Sequence, residues 1–252
     1  MKFLRHIFIA ALAGLMAMSA QAQDFTKGKP IVKARLGYNV GGTMPLGMPA
    51  SIRKLNSYAL QMAPAVGANV LLPIDATRGI QLGLLFEHKA MKEDANVKNY
   101  HMEITQGGQT LAGMFTGNVT TKVSQWMLTV PAQAVWRVRK VNLKFGPYVS
   151  IVMGQDFSGW AHMGYLRVDD PTGAKVELGE AENERGNYDF TEHLRRVQFG
   201  MMLGADWDLS NRLGLYADLN WGMTAAFHSS FHTIEQNLYP IYGQLGITYR
   251  IR

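Results

Sequence analysis

The sequence predicts an all-β fold: an eight-stranded antiparallel up-and-down transmembrane β-barrel, preceded by an export signal. Three observations predict it. Apolar and polar residues alternate with period 2 through eight segments. These segments run to about twelve to sixteen residues, where strands of soluble domains usually have five or six and a tilted membrane strand needs about nine to eleven. The connections between them alternate long and short, the pattern of a barrel with long loops at one rim and tight turns at the other.

Composition narrows the function classes. The chain has 252 residues, 47% hydrophobic and only 17% charged, with a formal charge of +6. That charged fraction is low beside the roughly 25% of soluble domains and argues against a disordered or nucleic-acid-coating protein. There are no cysteines, which excludes a disulfide scaffold, thiolate metal sites and a lipid-anchored cysteine. Residues 1–22 read as a secretory signal peptide: Lys2 and Arg5, then the apolar run Ile7 to Met18, then Ala20-Gln21-Ala22, with cleavage expected near Ala22/Gln23. Twelve apolar residues make about 18 Å of helix, short of the ~30 Å a membrane anchor must span. Residues 23–252 are then a single barrel domain. No later stretch is apolar enough for a transmembrane helix, so a membrane-spanning form must be a closed barrel.

The elements follow in order. In the first segment Val32, Ala34, Leu36, Tyr38 and Val40 face one way, and Lys33, Arg35, Gly37, Asn39 and Gly41 the other. The second sets Tyr58, Leu60, Met62, Val66 and Val70 against Ser57, Gln61, Gly67 and Asn69. The third sets Ile80, Leu82, Leu84 and Phe86 against Gly79, Gln81, Gly83 and Glu87. The fourth sets Trp126, Leu128, Val130, Ala132, Ala134 and Trp136 against Gln125, Thr129, Gln133 and Arg137. The fifth sets Val141, Leu143, Phe145, Val149, Ile151 and Met153 against Asn142, Lys144, Gly146, Tyr148 and Ser150. The sixth sets Val197, Phe199, Met201, Leu203, Ala205 and Trp207 against Arg196, Gln198, Gly200, Gly204 and Asp206. The seventh sets Leu213, Leu215, Ala217, Leu219 and Trp221 against Gly214, Tyr216, Asp218, Asn220 and Gly222. The last sets Ile241, Leu245, Ile247, Tyr249 and Ile251 against Gln244, Gly246, Thr248, Arg250 and Arg252. Long connections fall at about residues 45–55, 92–121, 158–192 and 227–239. Short ones fall at Pro73-Ile74-Asp75-Ala76, Arg139-Lys140 and Ser210-Asn211. With both termini periplasmic, every long loop faces outward.

Trp126 and Trp136 share a face ten residues apart, roughly 33 Å along a strand and roughly 25 Å of height at a 40° tilt, the span between two aromatic girdles. Trp136, Trp207 and Tyr249 fit the inner girdle, and Trp126, Trp221 and Phe157 the outer one. A lipocalin-like barrel would point the apolar face inward. The polar face here is rich in Gly, Gln, Asn and Tyr rather than in the Lys and Glu of a solvated surface, so it is assigned to the lumen. The lumen then holds Lys33, Arg35, Glu87, Lys144, Arg196, Asp206, Asp218 and Arg250. An eight-stranded interior is narrow enough for side chains to fill, and charges there must pair, so a closed plug is expected rather than a large open pore.

Several runs resemble a known family. They are Leu128-Thr129-Val130-Pro131-Ala132-Gln133-Ala134-Val135-Trp136, then Phe145-Gly146-Pro147-Tyr148-Val149-Ser150, Phe199 to Ala205, Leu213 to Met223, and Gly243 to Arg250. Together they are similar to the PorT-like outer-membrane β-barrel domain family, over essentially the whole exported chain. The resemblance implies an eight-stranded barrel in the outer membrane of a diderm bacterium, with no catalytic motif. The namesake belongs to a system that secretes proteins across that membrane, so other envelope or secretion-system proteins are the implied partners, beside outer-membrane lipid.

Candidate chemical sites are weak. His228 and His232 stand four apart but have no acidic third ligand in the run. Ser158, His162 and Glu192 or His193 could form a lipid hydrolase site only by tertiary accident, and no Gly-x-Ser-x-Gly elbow is present. No Gly-rich phosphate loop precedes a helix. Asp169-Asp170-Pro171-Thr172-Gly173 reads as the turn of a hairpin projecting from the fifth connection, flanked by Glu177, Glu180, Glu182 and Glu184. The expectation is therefore a non-enzymatic barrel without cofactor, metal or nucleic-acid partner, acting in envelope structure or interaction. A small-molecule transporter and a lipid-modifying hydrolase are the alternatives. Amino-terminal sequencing of the membrane-inserted protein is expected to begin at Gln23; a chain retaining Lys2 and Arg5 would refute the cleavable signal.

Overall fold

The computed structural model describes residues 29–251, apart from 48, 232 and 235; the signal-peptide assignment lies outside these residues. All strands belong to one antiparallel sheet. They are β1 (Ile31–Pro45), β2 (Ile52–Leu60), β3 (Pro64–Pro73), β4 (Arg78–Gln106), β5 (Gln109–Val138), β6 (Val141–Val168), β7 (Lys175–Leu178), β8 (Gly186–Asp189), β9 (Val197–Asp208), β10 (Leu213–Gly222) and β11 (Leu238–Arg250). Eight of them close a ring, each pairing with the next: β1, β3, β4, β5, β6, β9, β10 and β11. The pairing of β11 with β1, from Lys33↔Arg250 to Pro45↔Leu238, completes the circuit. Through the belt, closure leaves these strands no unpaired edge, which is what an unsolvated bilayer requires of a sheet. The three shorter strands sit off the ring.

The sequence reading and the structure differ in strand length. β4, β5 and β6 have 29, 30 and 28 residues. The predicted loop at residues 92–121 is in fact a continued β4–β5 hairpin, turning at Gly107-Gly108 with φ of +59° and +81°. Two successive positive φ angles are the geometry of a tight primed turn, which glycine adopts without strain. The fifth connection also continues β6 to Val168, where the predicted hairpin forms, with β7 returning from Arg167↔Lys175 to Gly164↔Leu178. The second segment is split at residues 61–63, and β2 is an exposed edge strand paired to β4 alone. The half of the molecule away from the short turns is therefore a folded extension of the barrel. In it, β8 pairs both β6 and Thr105 of β4.

The two halves have opposite polarity. In the ring, Leu36, Leu82, Val130, Phe145, Leu203, Leu219 and Ile247 are exposed, while Arg35, Gln81, Gln133, Lys144, Asp206 and Gln244 are buried. In the extension, Met91, Val97, Phe115, Phe157, Tyr188 and Phe227 are buried together. Two bulges accompany the change. An extra residue at Met153 separates the Trp126↔Gly154 and Met127↔Val152 pairs, after which the inward positions of β6 switch from even to odd numbers. Another lies in β4 between Val97 and Tyr100, with Asn99 at φ +53°.

Inside the ring, close packing constrains small residues. The Tyr216 side chain lies over Gly37 and Gly246, which face each other across β1 and β11. A Cβ on Gly37 would collide with the Tyr216 hydroxyl and with the backbone carbonyl of Leu245. Gly37→Val is expected to lower stability by about 1–3 kcal/mol through overpacking. The measurement is the urea midpoint of the folded band that shifts on boiling; an unchanged midpoint would show that the lumen can repack.

Candidate functional site

The lumen collects the charged side chains that alternation places on the polar face of the ring. Near the short-turn end, Arg35 of β1 pairs with Asp218 of β10 through Nη2 and Oδ2. Lys144 of β6 bridges two carboxylates, 2.6 Å from Asp206 Oδ1 and 2.8 Å from Asp218 Oδ1. Lys33 donates to Asp208 Oδ1 at 2.7 Å and lies 4.0 Å from Asp206 Oδ2. Arg137 reaches the other oxygen of Asp208 at 3.7 Å. Arg35 also stacks on the Tyr216 ring, 3.7 Å from its centroid.

A second layer lies toward the extension. Glu87 Oε1 accepts from Thr129 Oγ1 at 2.6 Å, and its Oε2 accepts from Gln244 at 3.0 Å and Asn39 at 3.2 Å. Lys89 Nζ is 3.3 Å from Glu87 and faces the Tyr148 and Tyr242 rings at 5.3 and 5.7 Å. Thr129 and Ser150 share a hydroxyl–hydroxyl bond of 2.7 Å. The apolar cluster of Leu85, Tyr148 and Met202 fills part of the same interior, and Ile31, Leu71 and Val135 pack at the turn end.

The structure thus brings together Lys33, Arg35, Glu87, Lys144, Asp206 and Asp218 as buried groups. Arg250 is half-buried at the end of β11, across from Lys33. Arg196 does not belong to the lumen. It is exposed, one residue before β9 begins, and lines an open recess with Glu192, Arg195 and His228. The reason is that β9 pairs with β6 only from Val197↔Ile151 onward, so the alternation of the ring does not reach Arg196. Lys89 and Asp208 join the network although they lie past the ends of the third and sixth predicted segments, because β4 and β9 continue beyond those ends. Lys89 is simply the next inward position after Glu87.

Of the aromatics proposed for the girdles, Trp126, Trp136, Trp207, Trp221 and Tyr249 are exposed on the outer wall, whereas Phe157 is buried in the core of the extension, because the bulge at Met153 turns the odd positions of β6 inward. Trp136, Trp207 and Tyr249 lie beside the short turns. They stand opposite Leu143, Val141 and Leu213. Trp126 lies at the far end of the belt, stacked on His88 at 4.3 Å and Phe86 at 5.2 Å.

The proposed hydrolase residues are held apart. Ser158 Oγ donates to Asp156 at 2.9 Å, whereas His162 Nε2 lies 2.9 Å from Asp94 Oδ2 and 3.2 Å from Thr120 Oγ1. Burial raises the Asp94 carboxyl, but hydrogen bonds from Asn56, His162 and Thr120 outweigh it and hold the group below the usual carboxylate range. His193 stacks on Phe231 at 4.6 Å. His232 lies outside the described residues, and among those described no three His, Cys, Asp or Glu side chains are grouped to hold a metal ion. Of the acidic residues near the hairpin, Glu177 pairs with Lys175 at 2.8 Å and Glu182 with Arg185 at 3.3 Å.

A closed antiparallel ring with an apolar exterior and a polar interior is the architecture of an outer-membrane barrel. The family comparison agrees: residues 21–228 match the model described as outer membrane protein beta-barrel domain. The chain belongs to that family. The match covers the ring from β1 to β10 and ends before β11. Membership places the protein in an outer membrane and is broader than the PorT-like resemblance. No curated protein matches the chain. Solved structures similar to it include the attachment invasion locus protein Ail of Yersinia pestis, at 9% identity and a TM-score of 0.36, covering 89% of this chain and 99% of that one. OprG of Pseudomonas aeruginosa is similar at 11% identity and a TM-score of 0.38, covering 90% and 99%. CarO2 of Acinetobacter baumannii is similar at 10% identity and a TM-score of 0.39, covering 87% and 99%.

The lumen network makes a direct test. Asp218→Asn leaves Arg35 and Lys144 buried with less counter-charge, and is expected to cost about 3–5 kcal/mol. Replacing Lys144 by Met together with Asp218→Asn removes one charge of each sign and should recover part of that loss. Urea-gradient refolding into detergent micelles measures both; equal midpoints for wild type and Asp218→Asn would show that the pair carries no net stability.

Proposed function

We propose that this barrel is a non-conducting, non-enzymatic component of the outer membrane, and that its folded extension presents a surface to other envelope components. The observation that carries the reading is a double seal. The ring is filled by the ion-paired layers around Arg35–Asp218 and Glu87–Lys89. Above them the extension closes over an apolar core containing Phe115, Phe157, Phe190 and Phe227. A solute path along the axis would have to break buried ion pairs and a packed apolar core in turn, both costly.

The orientation proposed is both termini and the short turns on the periplasmic side, with the extension outward, as the asymmetry of the connections supports. Outward apolar side chains, with tryptophans at both ends of the belt, support lipid as the surrounding partner. The finer PorT-like resemblance, strongest between Leu128 and Ser150, supports other envelope or secretion-system proteins as partners. No cofactor is assigned.

Purified protein in planar bilayers is expected to give no steady openings, and tagged protein from mildly solubilised membranes is expected to retain other envelope proteins in fixed ratio. Steady single-channel steps in the wild type would overturn the sealed reading in favour of transport. Recovery of the barrel alone would overturn the interaction role.

A further inference from the structure

Beyond the apolar belt, the outer wall of the extension carries an indole ringed by cations. Lys122 Nζ lies 4.7 Å from the Trp160 ring centroid, Lys92 Nζ 5.5 Å and Arg185 Cζ 4.5 Å. Lys92 and Lys122 stand directly opposite each other in the β4–β5 register. Like charges so placed repel, and neither lysine is in an ion pair among the described residues, whereas Arg185 has Glu182 at 3.3 Å and Asn187 at 3.0 Å. Beside the indole is a recess of about 440 Å³ bounded by Thr105, Lys122, Ser158, Arg185 and Asn187. Asp189 at its edge already accepts the backbone N–H of Thr191 at 2.9 Å. Two opposed lysines on one indole, beside hydroxyl and amide groups, form a surface short of an anion.

Height indicates which anion. Lys122 lies four residues beyond Trp126 on β5, about 13 Å along the strand and about 10 Å in height. The polar layer of a bilayer adds about 5–8 Å on each side of its hydrocarbon core, so the backbone carrying the cations stands just above that layer and the long lysine side chains reach down to headgroup level. Below them the wall carries Ser124 and the exposed Asp156, which accepts from Ser158, and then the exposed Trp126 of β5 and Met153 of β6, where acyl chains would lie.

We propose that this recess binds the phosphorylated sugar headgroup of an outer-leaflet glycolipid. Lys92, Lys122 and Arg185 hold the phosphate. Trp160 lies against the sugar ring, and Ser158, Thr105 and Asn187 meet its hydroxyls. The proposal rests on the outward orientation of the extension proposed above.

The test uses the full exported chain in phosphatidylcholine nanodiscs doped with lipid A, a phosphorylated glucosamine lipid, with bound lipid counted by native mass spectrometry. Wild type is expected to retain lipid A. The Lys92→Gln/Lys122→Gln double variant is expected to bind at least about tenfold more weakly, since each cation at a membrane surface strengthens anionic binding severalfold. Lys140→Gln, a charge removed at the opposite rim, is expected to bind like wild type. Equal binding by the double variant, or equal retention of dephosphorylated lipid A, would overturn the site. Displacement by millimolar inorganic phosphate would overturn the lipid source and make the recess a site for soluble anions. The boiling-dependent gel shift checks that each variant is folded. Surface protease digestion of whole cells tests orientation separately: an extension protected from outside would refute the outward reading without bearing on binding in nanodiscs.

Discussion

Everything in this structure depends on what the closure of eight strands does to charge. Once β11 pairs with β1, the polar face of every ring strand is enclosed. Water that would solvate Lys33, Arg35, Lys144, Asp206, Asp208 and Asp218 is displaced by other side chains, so each charge must find a partner inside the wall. These three cations and three carboxylates are shared among four ring strands, and Arg137 of β5 adds a fourth cation at Asp208. Arg35 and Asp218 come from β1 and β10, Lys144 from β6, and Asp206 and Asp208 from β9. The pairings therefore exist only when the circuit is complete, which ties register to electrostatics: a one-residue slip would turn every one of these charges toward the apolar exterior.

The second constraint is the change of solvent along the same strands. In the belt the exterior meets lipid and the interior is polar. In the extension the exterior is polar and the interior is a packed apolar core. β5 makes the change without altering its alternation. Its inward positions pass from Thr129 and Gln125 to Val123, Val119 and Phe115. β6 and β4 need bulges to keep their apolar residues inward, because a bulge shifts the two-residue period by one. The extension has a hydrophobic driving force of its own, and this is why strands nearly three times the membrane-spanning length remain paired to their tips.

These two constraints place the sites available for function. The interior is occupied by ion pairs and aromatic packing, which leaves the surfaces. The belt offers tryptophans and aliphatic side chains, the turn end offers short exposed loops, and the extension offers a polar wall with a cationic indole cluster. Each surface faces a different phase, and the height of a residue along a strand decides which phase it meets.

Alternation by itself determined the existence of the eight ring strands, the identity of their lumen and lipid faces, and most of the buried charges. It does so because within the belt one face of the closed sheet meets only lipid and the other only the lumen. The Asp-Pro-Thr-Gly hairpin was also legible, since its turn chemistry is local. The Gly107-Gly108 turn carried the same kind of signal inside residues 92–121, masked by the polar sequence around it. Only the tertiary structure decided that β4, β5 and β6 continue far past the belt, because beyond that level the exterior is polar and the inward residues meet an apolar core that no single strand reveals. It likewise decided that Arg196 falls outside the ring while Lys89 and Asp208 fall inside. The lumen ends where β6 and β9 stop pairing, and that depends on two segments more than forty residues apart in sequence.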